Sequence, residues 1–281
     1  MLYKKSLGQH FLRDPRILKK IADVAGLSPA DTVVEVGPGE GTLTEVLLAA
    51  AGNVIAVEKD DRLIPILSEK FAAEIASGKL KLMHADVLEF SIFNFQFSKS
   101  PYKIVANLPY YITGQFFRKF LEETDTPPES MTLLLQKEVA ERIVARDKKE
   151  SILSVSIKAY GVPKLMGTVK AGAFSPPPKV DSAILTIERI SKDFFATDGH
   201  LHAQHDDAHL VRMNEHRFFG TVRRGFAHPR KFVASNLGLR PAELQSVGID
   251  EKARAESLSL EDWKRIICRT DLAPNTREAR R

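Results

Sequence analysis

Thr32-Val33-Val34-Glu35-Val36 runs without interruption into Gly37-Pro38-Gly39-Glu40-Gly41, and few folds accommodate such a junction. β-Branched residues dominate the first segment and favour a buried strand. Glycine at every second position of the next lets the backbone turn tightly and pass close to a neighbour. A helical stretch, Thr42 to Ala51, follows at once. Strand, glycine loop and helix open a βαβ unit, and the alternation continues. Asn53 to Val57 reads as a strand and Asp60 to Ala76 as a helix, with further strands at Leu80 to Ala85, Tyr102 to Ala106 and Met131 to Leu135. This pattern predicts an α/β fold, a parallel sheet with helices on both faces.

The flanks carry weaker signals. Asp14 caps a helix that starts at Pro15 and stops at Gly26. Ile152 to Tyr160 satisfies both helix and strand templates. Thr168-Val169 and Ser182 to Ile187 read as two more strands around Ser175-Pro176-Pro177-Pro178. Beyond Arg189 the strand-like runs end. A polar loop is expected from His200 to His216, then helical segments, then a frayed tail after Thr270. The boundary is expected near residue 190, with a main domain over 1–190 and a smaller helical domain over 191–281.

With 281 residues, one large domain plus a smaller one is the natural arrangement. Its apolar runs are far shorter than the roughly 20 residues that span a bilayer, so no membrane span is expected. Gly8-Gln9-His10 stands where a signal peptide would have its apolar core, so a cytoplasmic protein is expected. The single cysteine, Cys268, excludes an internal disulfide and a cysteine metal cluster, and the eight histidines show no metal-ligand spacing. No metal is implied. The net charge of +5 is unevenly spread: between His209 and Arg240 stand Arg212, Arg217, Arg223, Arg224, Arg230, Lys231 and Arg240 against the single acid Glu215. That stretch favours an anionic partner.

The glycine loop sits where a parallel α/β sheet binds its ligand, at the carboxyl ends of the strands. Gly37, Gly39 and Gly41 follow G-x-G-x-G, not the G-x-G-x-x-G that cradles a pyrophosphate, so an adenosyl ligand without phosphates fits better than a dinucleotide. Glu58, ending the next strand, is placed to accept ribose hydroxyls, and Asp86, ending the third, to recognise an adenine amine. A purely structural turn and helix caps are the plainer alternatives for these residues.

Asn107-Leu108-Pro109-Tyr110 follows a strand at the same sheet edge. An exocyclic adenine amine is a poor nucleophile because its lone pair is delocalised into the ring. The Asn107 side-chain oxygen and the Leu108 carbonyl, held by the fixed φ of Pro109, can accept its two N–H groups and favour the localised form. Tyr110 offers a face for the base and Phe174 is the candidate for the opposite face. A β-turn is the plainer reading of Asn-x-Pro.

Taken together the motifs identify the chain as resembling the ribosomal RNA adenine dimethyltransferases of the KsgA type. The resemblance rests on Leu7-Gly8-Gln9-His10-Phe11-Leu12, Glu35 to Thr44, Asn107 to Thr113, Leu133 with Gln136-Lys137-Glu138-Val139-Ala140, Phe174 to Ser182 and a C-terminal Arg-Lys segment ending at Asn236-Leu237. It implies a Rossmann-like class I methyltransferase sheet that binds S-adenosylmethionine, over residues 1–190, and an RNA-binding helical domain over 191–281. It implies cofactor contacts from His10, Leu12, Gly37, Glu58, Asp86 and Asn107, with the rest of the glycine loop, Gly39 and Gly41, alongside. RNA contacts are expected from Arg223, Arg224, Arg230 and Lys231. The implied reaction places two methyl groups on each of two adjacent adenosines near the 3′ end of small-subunit (16S) rRNA, with the immature subunit as partner and a monomer acting. The rivals are the macrolide-resistance methyltransferases of large-subunit rRNA, which tend to carry Ile where Leu108 stands, and a non-catalytic ribosome assembly factor.

Overall fold

The computed structural model describes residues 10–89, 101–196 and 208–269. The tail after Thr270 and residues 200–207 of the expected polar loop lie outside the described residues. The described chain forms two compact units. One runs to Glu141 and resumes over Gly161–Ile190; the other comprises Arg142–Tyr160 and the residues from Ser191 onward. Sequence reasoning had put residues 142–160 in the first domain.

Strand β1 (Phe11–Leu12) leads into α1 (Pro15–Ala25), then β2 (Thr32–Val36), α2 (Thr42–Ala50), β3 (Asn53–Glu58), α3 (Leu63–Lys70), α4 (Ala72–Ala76), β4 (Leu80–His84) and β5 (Lys103–Asn107). A 3-10 turn (Tyr110–Ile112) and α5 (Thr113–Phe117) precede β6 (Ser130–Gln136) and α6 (Lys137–Val144). After α7 (Ile152–Lys158) come β7 (Val162–Val169), β8 (Phe174–Ser175) and β9 (Ser182–Glu188).

The main sheet has seven strands in the order β4-β3-β2-β5-β6-β9-β7. From β4 to β6 neighbouring strands are parallel, while β9 runs antiparallel to both β6 and β7. All five residues of β2 are buried, as a strand covered on both faces requires. Helix α1 is fixed at both ends as its sequence dictates: the Asp14 side chain accepts from Arg16 N, and Gly26 closes the helix in the left-handed region. Its Leu18 and Ile21 are buried in the core with Leu43, Leu47 and Val33, each such side chain contributing roughly 1.5–3 kcal/mol of apolar burial.

From β2 the chain winds outward through β3 to β4, then returns to β5 on the other side of β2. Loops leaving the carboxyl ends of β2 and β5 therefore diverge, and a crevice opens between them.

Several expectations are corrected. The single helix expected over Asp60 to Ala76 is interrupted at Phe71, which leaves helical geometry (φ −113°, ψ 30°) and is buried beneath Gly41. Strand β7 is much longer than Thr168-Val169: it is an edge strand with Pro163 and a bulge between Leu165 and Gly167, and both features disguise it. The expected polar loop is helical from Ala208.

In the second unit Ile152 to Lys158 resolves as a helix, opened by a capping box in which Ser151 and Ser154 each receive the other's backbone N–H. Helices α8 (Asp193–Ala196), α9 (Ala208–Gly225), α10 (Val233–Leu237), α11 (Pro241–Gln245) and α12 (Leu260–Arg269) complete it. Tyr160 packs against Phe195 and Phe219, with ring centroids 5.2 and 6.0 Å away, which is why residues 142–160 belong here. Trp263 is fully buried against Gly225, where an added Cβ would lie 2.2 Å from the indole. No helix among the described residues is long and apolar enough to cross a membrane.

Candidate active site at the carboxyl edge of the sheet

The loop after β2 turns through Gly37 and Gly39 in the left-handed region, with φ of 67° and 60°. A Cβ on Gly39 would come within 2.9 Å of the Phe11 ring, so glycine here lets β1 lie directly over the loop. Gly41 serves packing instead. It starts α2 at φ 76°, and a Cβ there would meet Phe71 at 2.5 Å.

Glu58 ends β3 with its carboxylate tied at both oxygens: Oε2 accepts from Gly39 N at 3.1 Å and Oε1 from Asp60 N at 2.8 Å. Burial raises its pKa above the usual carboxylate value, and the two backbone donors oppose that rise. Each oxygen keeps a further lone pair. Glu35, inside β2, is 1% exposed and accepts from Thr44 Oγ1 at 2.7 Å; burial pushes its pKa up to about 8. After β4, Asp86 receives Leu88 N on one oxygen at 2.9 Å and Lys59 Nζ on the other at 2.6 Å. Partial burial pushes its pKa up, but these two donors outweigh it and leave it below the ordinary value.

At the end of β5 the Asn107 Nδ2 donates to the His10 carbonyl at 3.0 Å, which fixes the carboxamide with Oδ1 as its remaining acceptor. Leu108 N donates to Leu134 O at 3.2 Å, continuing the ladder. Pro109 holds φ −57° and leads into the 3-10 turn, where the Tyr110 hydroxyl meets Ser182 Oγ at 2.8 Å.

Residues 10–13 roof the crevice and are fastened along their length. His10 Nδ1 lies 2.8 Å from Pro176 O, and since a carbonyl only accepts, Nδ1 carries the proton. Thr42 Oγ1 donates to Leu12 O at 2.9 Å, and Arg13 Nη2 reaches both Glu40 oxygens at 2.8 Å.

Beneath this roof lies an open cavity. His10, Leu12, Gly37, Gly39, Glu58, Asp86, Asn107, Leu108, Pro109 and Tyr110 all line it, so the structure brings together almost every residue singled out in this unit. Gly41 and Phe174 are not in the lining. Phe174 pairs with Leu12 across β1 and β8; strand alternation turns Ser175 outward and Phe174 into the core at 5% exposure, so the structure does not offer it as the second stacking face. Sequence reasoning missed Phe11, Lys59, Leu88 and Tyr111 as lining residues. Phe11 and Tyr111 lay inside motifs that carried the resemblance; Lys59 and Leu88 had no signal of their own.

The family model for ribosomal RNA adenine dimethylases matches residues 2–271. The chain belongs to that family.

Within the rRNA adenine dimethylase family, the chain is 44% identical over 271 residues to the Ribosomal RNA small subunit methyltransferase A of Dehalococcoides mccartyi, covering 94% of this chain and 87% of that protein. The protein of the same name from Listeria welshimeri is 38% identical over 284 residues, covering 94% and 90%. Among solved structures, the 23S rRNA methyltransferase ErmE superposes with a TM-score of 0.70 at 26% identity, covering 93% of this chain and 99% of that one. A dimethyladenosine transferase from Plasmodium falciparum shares the fold with a TM-score of 0.73 at 24% identity, covering 92% and 96%.

The second unit of this dimethylase-family chain carries the exposed cations. Arg223 and Arg224 in the last turn of α9, and Arg230 and Lys231 after it, are exposed and pair with no acid among the described residues. Glu215, the one acid of the stretch, is buried beneath Tyr160 and Lys192, so it does not neutralise that surface. Asn236 Nδ2 donates to Gly225 O at 2.6 Å and His228 O at 3.1 Å, fastening α10 to the end of α9.

Proposed function

We propose that the chain methylates the exocyclic N6 amine of two adjacent adenosines near the 3′ end of small-subunit rRNA, using S-adenosylmethionine, in the cytoplasm on the immature subunit. The observation that carries this reading is the Asn107 carboxamide: its nitrogen is committed to the His10 carbonyl, and its oxygen is left as an acceptor in the cavity. The lining supports the donor. Glu35 is held protonated, and the ionised groups among the described lining residues are Glu58, Asp86 and the cation Lys59, which Asp86 already pairs; no unpaired cation is left to meet a pyrophosphate, and the remaining negative balance suits a cationic sulfonium.

S-adenosylmethionine, when bound, supplies an electrophilic methyl group. Glu58 accepts the ribose hydroxyls, Asp86 and its neighbouring backbone meet the adenine, and residues 10–12 exclude water from above. Asn107 Oδ1 and the Leu108 carbonyl accept the two N–H groups of the target amine and set its lone pair toward the methyl. Alignment of this kind supplies up to about 7–11 kcal/mol of barrier reduction. Tyr110, pinned by Ser182, stacks on the base. No strong base is needed, because the methylated ammonium is acidic enough to lose its proton to water. Arg223, Arg224, Arg230 and Lys231 hold RNA phosphates. The cavity is built within one unit of one chain, which favours a monomer as the acting form.

The test is mass spectrometry of rRNA adenosines after the purified protein and methyl donor are incubated with immature small subunits, or with large subunits, from cells lacking the modification. Dimethyladenosine at two adjacent small-subunit positions is expected. Methylation of the large-subunit rRNA, or of neither, overturns the reading.

A further inference from the structure

We propose that Tyr111 is a second stacking platform, at the mouth of the cavity, for the nucleotide adjacent to the target adenosine. The inference rests on the reading above and extends it to a residue with no assigned role. The turn Tyr110–Ile112 is a 3-10 helix, so its three side chains project about 120° apart. Tyr110 points inward to Ser182 and Ile112 is buried at 6% exposure. Tyr111 is left lining the cavity while 57% exposed. Among the described residues its hydroxyl has no hydrogen-bond partner and its ring makes no aromatic contact, so its apolar face is uncommitted. A lone exposed aromatic is ordinarily unremarkable, but this one lines the cavity that takes a base under that reading, together with Lys59, whose ammonium is paired with Asp86. An aromatic ring and a cation are the two elements that hold a nucleotide of single-stranded RNA.

The energetics supply a reason for such a platform. Drawing a base out of a stack costs a few kcal/mol and strips its neighbour of a stacking partner. A neighbour that restacks on an aromatic side chain recovers roughly 1–3 kcal/mol. Tyr110 and Tyr111, consecutive on one turn, would then serve consecutive bases, the second being the other adenosine under the reading above.

The test compares wild type with Tyr111→Ala, Tyr111→Phe and Tyr111→Trp in methyl transfer to immature small subunits, alongside the Kd for S-adenosylmethionine by calorimetry. Tyr111→Ala is expected to raise the KM for subunits about fivefold or more, with kcat and the donor Kd within about twofold, and Phe and Trp are expected to restore the KM. A hairpin RNA carrying 2-aminopurine next to the target is expected to lose fluorescence on binding wild type and Tyr111→Phe but not Tyr111→Ala. A KM unmoved by Tyr111→Ala in an enzyme whose wild type is active, or a loss confined to the donor Kd, overturns the inference alone. Wild type that leaves small-subunit adenosines unmethylated overturns the parent reading, and this inference with it.

Discussion

Replacing Asn107 by alanine separates the two tasks of one side chain. Its nitrogen ties the roof through a single neutral hydrogen bond of 3.0 Å to His10 O, and losing such a bond costs about 0.5–1.5 kcal/mol. Three other ties remain, from His10 to Pro176, from Thr42 to Leu12 and from Arg13 to Glu40. The Kd for S-adenosylmethionine should therefore weaken by no more than about tenfold. Its oxygen has no such backup. Removing a preorganised hydrogen-bond partner from a reacting group costs about 2.7–4 kcal/mol, or roughly a hundred- to a thousandfold in kcat. Asn107→Asp sharpens the comparison, because it keeps an acceptor yet sets a carboxylate oxygen against the His10 carbonyl. It should bind the donor worse than Asn107→Ala does. Single-turnover transfer of tritiated methyl to saturating subunits, with calorimetry for the donor, measures both tasks. A kcat for Asn107→Ala within about threefold of wild type would refute the assignment.

Other perturbations test the rest of the arrangement. Glu35 is ordinarily a carboxyl of pKa 4.5 but stays protonated in the folded state to about 8, so the folded state holds a proton that the unfolded chain releases. Its stabilising contribution is complete below pH 4.5 and is lost as pH rises through 8. Thermal melts of Glu35→Gln should accordingly flatten the fall in stability between about pH 4.5 and 8, whereas curves parallel to wild type would contradict the shift. Gly41→Ala combines a left-handed alanine, about 1–2 kcal/mol, with overlap on Phe71, about 1–3 kcal/mol. A melting temperature equal to wild type would show that the packing is not tight there. Changing both Arg223 and Arg224 to Ala should make the log–log salt dependence of RNA binding shallower by about 1.5, given roughly 0.7–0.9 per phosphate contact. An unchanged slope would remove these arginines from the RNA surface.

Sequence made β2 legible to the residue, because four of its five residues are β-branched, as a strand buried on both faces favours. Asp14, Pro15 and Gly26 marked α1 equally well, since caps are local chemistry. Features set by distant contacts were hidden. Phe71 breaks its helix beneath Gly41, thirty positions earlier in the chain, and no local pattern announces that. Strand β7 has an exposed face, a proline and a bulge, each of which weakens a strand signal. In the site, Glu58, Asp86 and Asn107 were readable because each ends a strand at the same edge. Phe174, an aromatic before prolines, reads as a stacking residue in sequence, while a two-residue strand sets which way it faces in the structure. His10 was singled out through the resemblance alone, and its carbonyl's tie to Asn107 is legible only in the structure.

That last contact also has a kinetic consequence. Two methyl additions to one amine need two donors, so the spent molecule must leave and a fresh one enter between them. Under the proposed reading, the roof over the cavity is tied to the carboxamide that holds the target amine, and any opening of the roof at residue 10 would break that tie. Donor exchange and a loosened hold on the half-modified base would then share one event, and the lifetime of the tie would set how often the base departs with one methyl instead of two.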